Sequence, residues 1–550
     1  MAALIFCCFS SCKKSDAPVP PPVVPPKPLT LLSATVNNTS IGNIALYNIA
    51  PSVVIKLGFS VPVLKTSAAA ISLTEINTGT AVPLNTSFQN GDSVILVQPA
   101  APLKYLTRYG LNVSTELSSA DKIKLANSVD RLFITQLDSS RKFPLLSDDQ
   151  LLDKIQQQTF TYFWDFGHPV SGLARERNSS GETVTSGGSG FGIMAIIAGI
   201  NRNFITRAEG LARLQTITGF LKNTAQKFHG AFPHWLNGST GLVIPFSQKD
   251  NGADLVETSY LLQGLLCARQ YFNGAAAAEV SLRGDINTIW NGVEWDWFRQ
   301  NNQNVLYWHW SPNYNWDMNL PIKGWNECLI TYVLAAASAS HSIPKAVYDN
   351  GWAGNGSMAN GNNYYGYALP LGPASGGPLF FSQYSFLGIN PNGLSDAYAS
   401  YAAQTKNHTL INYSYCKLNP LNYYGYSDSC WGLTASDIQN GYTASSPTND
   451  VSVIAPTAAI SSLPYTPAES MKALKFFYYT LGDKIWKNYG FVDAFSLKDQ
   501  WFADSFLAID QGPQIIMIEN YRSGLLWSLF TSCPEVKTGM KALGFTAPWL

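Results

Sequence analysis

The rhythm of apolar and polar positions changes near residue 140. From about Leu29 to Thr135 the apolar residues come in short β-rich runs, SVVIKLGFS, SVILVQPA and YGLNVS, separated by Asn, Gly, Thr and Pro. Several short strands at this spacing predict a β-sandwich of roughly 100 residues. Past residue 145 the apolar positions recur at helical period, in long segments joined by Gly-, Asn- and Tyr-rich loops. Three starts carry capping boxes: Ser147-Asp-Asp-Gln150, Thr206-Arg-Ala-Glu209, and Thr466-Pro-Ala-Glu469 with Pro467 at the first helical position. With further segments near 191, 254, 280, 325, 392, 453 and 514, the helices number about a dozen. Some are apolar all round and others on one face. Two concentric layers demand that mixture, because inner helices are buried on both sides and outer ones on one. The expectation is a mainly α protein, an (α/α)6 barrel over 145–550 preceded by a small all-β sandwich over 29–140, with the working cavity at one end of the barrel.

The segment NGADLVETSYLLQGLL, Asn251 to Leu266, breaks the pattern informatively. It is apolar over most of its circumference yet carries Asp254 and Glu257, which at a spacing of i and i+3 share one helix face. Two readings follow. Either both acids lead a helix N-terminus, where the dipole favours negative charge, or they serve one site.

Composition narrows the ligand. Lys+Arg and Asp+Glu both number 36, which argues against a nucleic-acid footprint. Charged residues are only 13% of the chain and aromatics also 13%, with 15 Trp and 27 Tyr. Aromatic, uncharged surfaces suit uncharged ligands, and sugars fit that description.

The N-terminus, MAALIFCCFSSCKKSDAPVPPPVVPPKP, has an apolar run too short to span a bilayer followed by prolines, as in a processed targeting segment. Phe9-Ser10-Ser11-Cys12 resembles a bacterial lipoprotein processing box, which implies lipidation of Cys12. Residues 1–28 then form a signal and a Pro-rich tether, and the protein would be an exported lipoprotein on the periplasmic or cell-surface side of an outer membrane, monomeric and membrane-bound through lipid only. The 29–140 sandwich resembles the bacterial Ig-like domains found ahead of secreted enzymes. Cys267, Cys328, Cys416, Cys430 and Cys533 remain, an odd, scattered set expected as buried free thiols, with Cys416 and Cys430 the one conceivable pair. No C-x-x-C or H-E-x-x-H spacing occurs, and His168, His229, His309 and His408 are far apart, so no catalytic metal is expected.

Several chemistries drop out. There is no G-x-S-x-G, and SGGSGFG (186 to 192) fails the dinucleotide pattern G-x-G-x-x-G. What recurs is carboxylates at the edges of apolar helices: Asp250, Asp254, Glu257, Glu327 in KGWNECLITYVL, and Asp510 and Glu519 in LAIDQGPQIIMIENYRSGLLW. Glycosidic cleavage needs one protonated carboxyl and one ionised carboxylate. Glu327, between Trp325 and the apolar Leu329 and Ile330, has the surroundings that raise a carboxyl's pKa. Glu519 has Arg522 at i+3 as a structural partner.

The runs NGADLVETSYLLQGLL, GWNECLI, GGPLFFSQYSFLGINP, CWGLTASD, PTAAISSLPYTPAES and FLAIDQGPQIIMIENYRSGLLW resemble the bacterial glucoamylase-like domain family, over about residues 147 to 545. Its characterised members include the endo-β-1,2-glucanases of glycoside hydrolase family 144. The resemblance implies an (α/α)6 barrel hydrolysing β-1,2-glucan with inversion and without a cofactor. It also implies essential acids at Asp254, Glu257 and Glu327, with Asp250 and Asp510 as further acids of the cleft. Exo-acting members releasing a disaccharide keep that mode open, and a non-catalytic glycan-binding lipoprotein is the rival from another class. A polysaccharide lyase would need a basic cluster that is not evident. Acid and base of an inverting enzyme stand about 6.5 to 9.5 Å apart, too far for two acids one turn apart. Glu327 is therefore the expected general acid, with one of Asp254 and Glu257 handling water and the other holding sugar hydroxyls. Candidate sugar contacts are Trp235, Trp308 and Trp310 (the latter two in YWHWSPNYNW), Trp316, Trp325, Phe380, Phe381, Tyr384 and Trp431, with His234, Arg175 and Gln383 for hydroxyls.

Overall fold

The computed structural model describes residue 1 and residues 27–550. The expected leader, with Cys7, Cys8 and Cys12, lies outside the described residues. The chain divides into two compact units, Met1–Asp138 and Ser139–Leu550.

The first unit has ten strands: β1 (Leu31–Val36), β2 (Thr39–Ser40), β3 (Leu46–Ile49), β4 (Ile55–Phe59), β5 (Ile71–Glu75), β6 (Thr80–Ala81), β7 (Leu84–Gln89), β8 (Val94–Pro99), β9 (Arg108–Val113) and β10 (Val129–Thr135). They form two five-stranded sheets, ordered β2-β1-β4-β8-β7 and β3-β10-β9-β5-β6. All pairings are antiparallel except β3 with β10. Alternation decides which residues meet: Ile55, Leu57 and Phe59 of one sheet and Ile71, Leu73, Tyr109, Leu111 and Val113 of the other enter one shared core. The three β-rich runs expected from sequence are β4, β8 and β9.

The second unit is helical: α1 (Asp148–Trp164), α2 (Ser186–Asn201), α3 (Arg207–Asn223), α4 (Leu255–Tyr271), α5 (Ala277–Asn291), α6 (Leu329–Ala337), the single turn α7 (Lys345–Val347), α8 (Tyr401–Leu418), α9 (Pro456–Ile460), α10 (Pro467–Tyr479), α11 (Gly482–Ile485), α12 (Ala508–Ser523), α13 (Leu525–Thr531) and α14 (Pro534–Leu543). Burial alternates along the chain. Helices α2, α4, α6, α9 and α12 are buried on nearly every side, while α1, α3, α5, α8, α10 and α14 bury one face. The buried ones make an inner ring. Helix α2 packs on α4 and α12, α4 on α6, α6 and α12 on the 3-10 turns around residues 379–387, and α9 on α12. Gln383 closes the ring by donating to the Ala458 carbonyl at 3.0 Å. Among the described residues no helix is long and apolar enough to cross a membrane.

Two expectations change. The helix expected near 392 starts only at Tyr401, and the preceding inner position is filled by 3-10 turns at Leu379–Ser382 and Ser385–Leu387. Ser147 and Thr206 make complete capping boxes, but Thr466 does not. Its hydroxyl turns to the Ser462 carbonyl (3.4 Å) and Ser470 Oγ (3.2 Å) instead, although Pro467 does occupy the first turn. All five described cysteines are buried free thiols, Cys416 and Cys430 included.

Candidate active site

The glycine run at the start of α2 sets the geometry of the site. A Cβ on Gly190 would lie 2.0 Å from the Tyr260 carbonyl, and one on Gly264 2.2 Å from the Gly190 carbonyl, so α2 and α4 cross backbone to backbone. The crossing brings the α2 N-terminus beside the first turn of α4. Glu257 Oε2 there accepts from the Gly187 amide (2.8 Å) and from Thr185 Oγ1 (3.2 Å).

Asp254 is the N-cap of α4. Its Oδ1 accepts from the amides of Val256 (3.0 Å) and Glu257 (2.9 Å), while Oδ2 accepts from His234 Nδ1 and Trp308 Nε1, both at 3.2 Å. The two acids therefore part company: Asp254 is wholly enclosed by protein, and Glu257 faces the cavity. His234 stands between them, with Nε2 4.0 Å from Glu257 Oε1. Behind it, His309 Nδ1 lies 3.3 Å from Asp250 Oδ1 and 3.7 Å from Asp254 Oδ2. The pairing of Ala253–Asp254 with His309–Trp310 holds this register.

Charge follows from contact. Burial alone would push His234 down, but the charges of Glu257 and Asp254 carry it up to about 9. His309 is raised against the same burial penalty by Asp254 and Asp250. Asp254, despite burial, is held below its usual value by His309 and His234. Burial raises Glu257, with His234 opposing. Glu327 has no such cation. Burial, reinforced by the charges of Glu257 and Asp254 and partly offset by a backbone amide, pushes it up to about 7. Its carbonyl is pinned by Tyr260 Oη (3.3 Å) and Ser385 Oγ, just before α6.

Glu257 and Glu327 both line one cavity of about 440 Å³, walled by Trp235, Phe246, Tyr260, Trp308, Phe380, Tyr384 and Tyr442, with Glu176, Arg177 and His234 among its polar groups. Of the residues expected from sequence, Glu257, Glu327, His234, Trp235, Trp308, Phe380 and Tyr384 come together here. Asp254 and Asp250 stand directly behind them. Asp510 is buried beside Asp493; burial and the Asp493 charge hold it well above an ordinary carboxyl, and Asp493 is raised, chiefly by burial, to about 7.

The others lie outside the wall. Arg175 donates to the Gly181 (2.9 Å) and Phe166 (2.6 Å) carbonyls and covers the Phe166 ring. Gln383 holds α9. Trp325 packs among Trp352, Phe386 and Tyr401, and Trp431 is fully buried with its indole N–H on the Glu469 carbonyl. Trp310 and Trp316 pack on Trp297, so YWHWSPNYNW contributes Trp308 to the wall and His309 behind it. Glu519 pairs with Arg202 (2.6 Å), not Arg522, which bonds Gln156 and Asp153. Arg177, Glu176, Phe246 and Tyr442 were not singled out. Asn440-Gly441 is a hairpin signal that locates Tyr442, since 435–438 and 441–444 pair with Asp437 opposite Tyr442.

One group among the described residues has the donors for a metal ion: His234, Asp250 and Asp254, with ligand atoms within 4.8 Å of one another. Both Asp254 oxygens are already taken by four N–H donors, and the imidazoles of His234 and His309, raised by the neighbouring acids, bring positive charge to the group.

A double layer of helices around an aromatic cleft with two converging carboxyl groups defines a helical protein of glycoside hydrolase type. The comparisons sharpen the class. The family model Glycoamylase, described as "Putative glucoamylase", matches residues 319–534. An endo-β-1,2-glucanase from Chitinophaga pinensis, solved with sophorotriose and glucose, is 52% identical, with a TM-score of 0.72 over 74% of this chain and 100% of that one. A β-1,2-glucanase from Parabacteroides distasonis is 37% identical, with a TM-score of 0.71 over 94% of this chain and 73% of that one. A curated relative from Parabacteroides distasonis, an exo β-1,2-glucooligosaccharide sophorohydrolase (non-reducing end), is 45% identical over 431 residues; the match spans 74% of this chain but only 60% of the relative. The chain belongs to this glucoamylase-like family, the one resembling glycoside hydrolase family 144.

Proposed function

We propose that the protein is a glycoside hydrolase cleaving β-1,2-glucan within the chain, by a single displacement that inverts the anomeric carbon. The observation that carries the proposal is Glu327, held near 7 in an aromatic cavity that also presents Glu257. Protonated Glu327 donates to the glycosidic oxygen as its bond to the anomeric carbon breaks. A water forms the new bond from the opposite face and gives its proton to a carboxylate. Glu257 takes that second role, fixed by the Gly187 amide, Thr185 and the His234 imidazolium. Asp254 orients His234, both its oxygens being occupied by protein. The 52% identical Chitinophaga enzyme supports bond and mode.

A second reading is exo release of a disaccharide. It is favoured by the name of the curated relative, 45% identical to this chain. Linear β-1,2-glucan beside β-1,3-, β-1,4- and α-1,4-glucans, with products chromatographed over time, separates the readings. A ladder from the β-1,2 polymer alone means endo action, disaccharide alone means exo action, and retention without new reducing ends means a binding protein. Proton NMR of the first products reads the anomer. The (α/α)6 description of the helical unit, an Ig-like N-terminal sandwich acting as a spacer, a monomeric state and lipid anchoring through Cys12 at the outer membrane complete the proposal. Metabolic labelling with a radioactive fatty acid, lost in Cys12→Ser, tests the anchor.

A further inference from the structure

Beside the catalytic cleft lies a second cavity, of about 430 Å³, that the chemistry above does not use. Arg177 lines both. Its Nη1 pairs with Asp437 at 3.1 Å and its Nε with Glu176 at 3.0 Å, so the guanidinium forms the partition. On the far side the floor is polar: Ser505 Oγ donates to Asp437 Oδ2 at 2.5 Å, and the Asp437 amide donates to Asp493. The hairpin 435–444 borders both cavities, Tyr442 lining the cleft and Asp437 the second cavity.

Trp501 and Phe502 also line the second cavity. Phe502 is committed, stacked on Phe495 and covered by Lys484. Trp501 is half-buried, and its indole makes no hydrogen bond or ring contact among the described residues. An unengaged indole lining the same cavity as a carboxylate–guanidinium pair is the chemistry that recognises a pyranose: a flat apolar face for the ring, and acceptors and donors for the hydroxyls. The charges nearest the floor, Glu176, Arg177 and Asp437, do not sum to a positive value, so the cavity suits a neutral sugar and not a uronate.

We propose that this cavity is a distal glucosyl subsite, taking the glucan where it leaves the catalytic cleft past Arg177, with Trp501 under the sugar ring. The inference rests on the proposed function and adds to it a determinant of chain-length preference. The test uses the full chain with Trp501→Ala, and with Ser179→Trp, an exposed rim position where a bulky side chain fills the cavity without touching the core. Rates are compared on long β-1,2-glucan and on the shortest oligosaccharide cleaved. The ratio of kcat/KM, long over short, falls about tenfold in both variants, through KM, at unchanged unfolding temperature. An unchanged ratio in both overturns the subsite. Calorimetry of long glucan binding to Glu327→Gln protein separates the two levels. Affinity that is the same with and without Trp501 overturns the subsite alone, whereas no affinity for β-1,2-glucan of any length overturns the functional reading and the subsite with it.

Discussion

At the scale of single residues, burial without a cation sets Glu327 apart from its neighbours. A general acid must be protonated, so kcat is high below about 7 and declines as pH rises through that value. Glu327→Gln is expected to lose about 10³-fold in kcat, measured by reducing ends, while chain-length-dependent binding persists. The same burial has a cost for the fold. A carboxyl raised in the folded state contributes stability that is complete below its ordinary 4.5 and lost as pH rises through about 7. Glu327→Gln therefore unfolds at the same temperature as the parent near pH 4.5 and several degrees higher at pH 8. The gap is at most about 3 kcal/mol, since the cleft admits some water. His234 runs over a different window. Its imidazolium contributes stability present in full below 6.5 and lost as pH rises through about 9. His234→Gln is accordingly destabilised at pH 6 and converges on the parent above pH 9, a difference that thermal melts across this range would show.

Among the elements, the α2–α4 crossing carries most of the site. Gly190→Ala drives a methyl into the Tyr260 carbonyl at the crossing itself, where two buried backbones have nowhere to move. A loss of several kcal/mol, seen as a lower melting temperature or insoluble protein, is expected. Gly187→Ala is different. Its methyl would meet the Glu257 carboxylate at 2.6 Å, a flexible side-chain end, so activity should fall further than stability. Equal losses at both positions would mean that Gly187 only packs. This crossing shows what could be read from the sequence. Helix α4 lacked any polar face, which marked it as an inner element, and its two acids stood out for the same reason. The glycine run was excluded as a nucleotide loop, but its partner, Gly264, is 74 positions from Gly190 and only the fold brings them together. Local signals worked where the interaction is local, as at Ser147 and Thr206, and failed at Thr466, where Ser462 and Ser470 offered the hydroxyl other partners. Aromatic abundance pointed to sugars but could not sort walls from core. Trp308 and Trp325 look alike in sequence, yet one lines the cleft and donates to Asp254 behind it, and the other fills the space beside Tyr401. Arg177 and Phe246 were invisible because each is an ordinary loop residue until distant segments meet at the cleft.

For the whole molecule, the division after Asp138 makes a prediction about where activity resides. Every residue lining the catalytic cleft lies between Glu176 and Ile509, inside the second unit, and the first unit closes a hydrophobic core of its own from residues between Leu29 and Phe133. Each unit buries its own apolar surface, as an independently folding domain must. A fragment beginning at Ser139 should therefore fold cooperatively and hydrolyse soluble β-1,2-glucan with kcat and product pattern within about twofold of the full chain, because nothing in its acid, its carboxylate or its aromatic walls comes from elsewhere. The product pattern is the sharper readout. If the full chain releases disaccharide alone while the fragment makes a ladder, the product pattern is not a property of the second unit alone, and the prediction fails. If both give the same products, the mode is written in the second unit, in the cleft that holds Glu327 and Glu257.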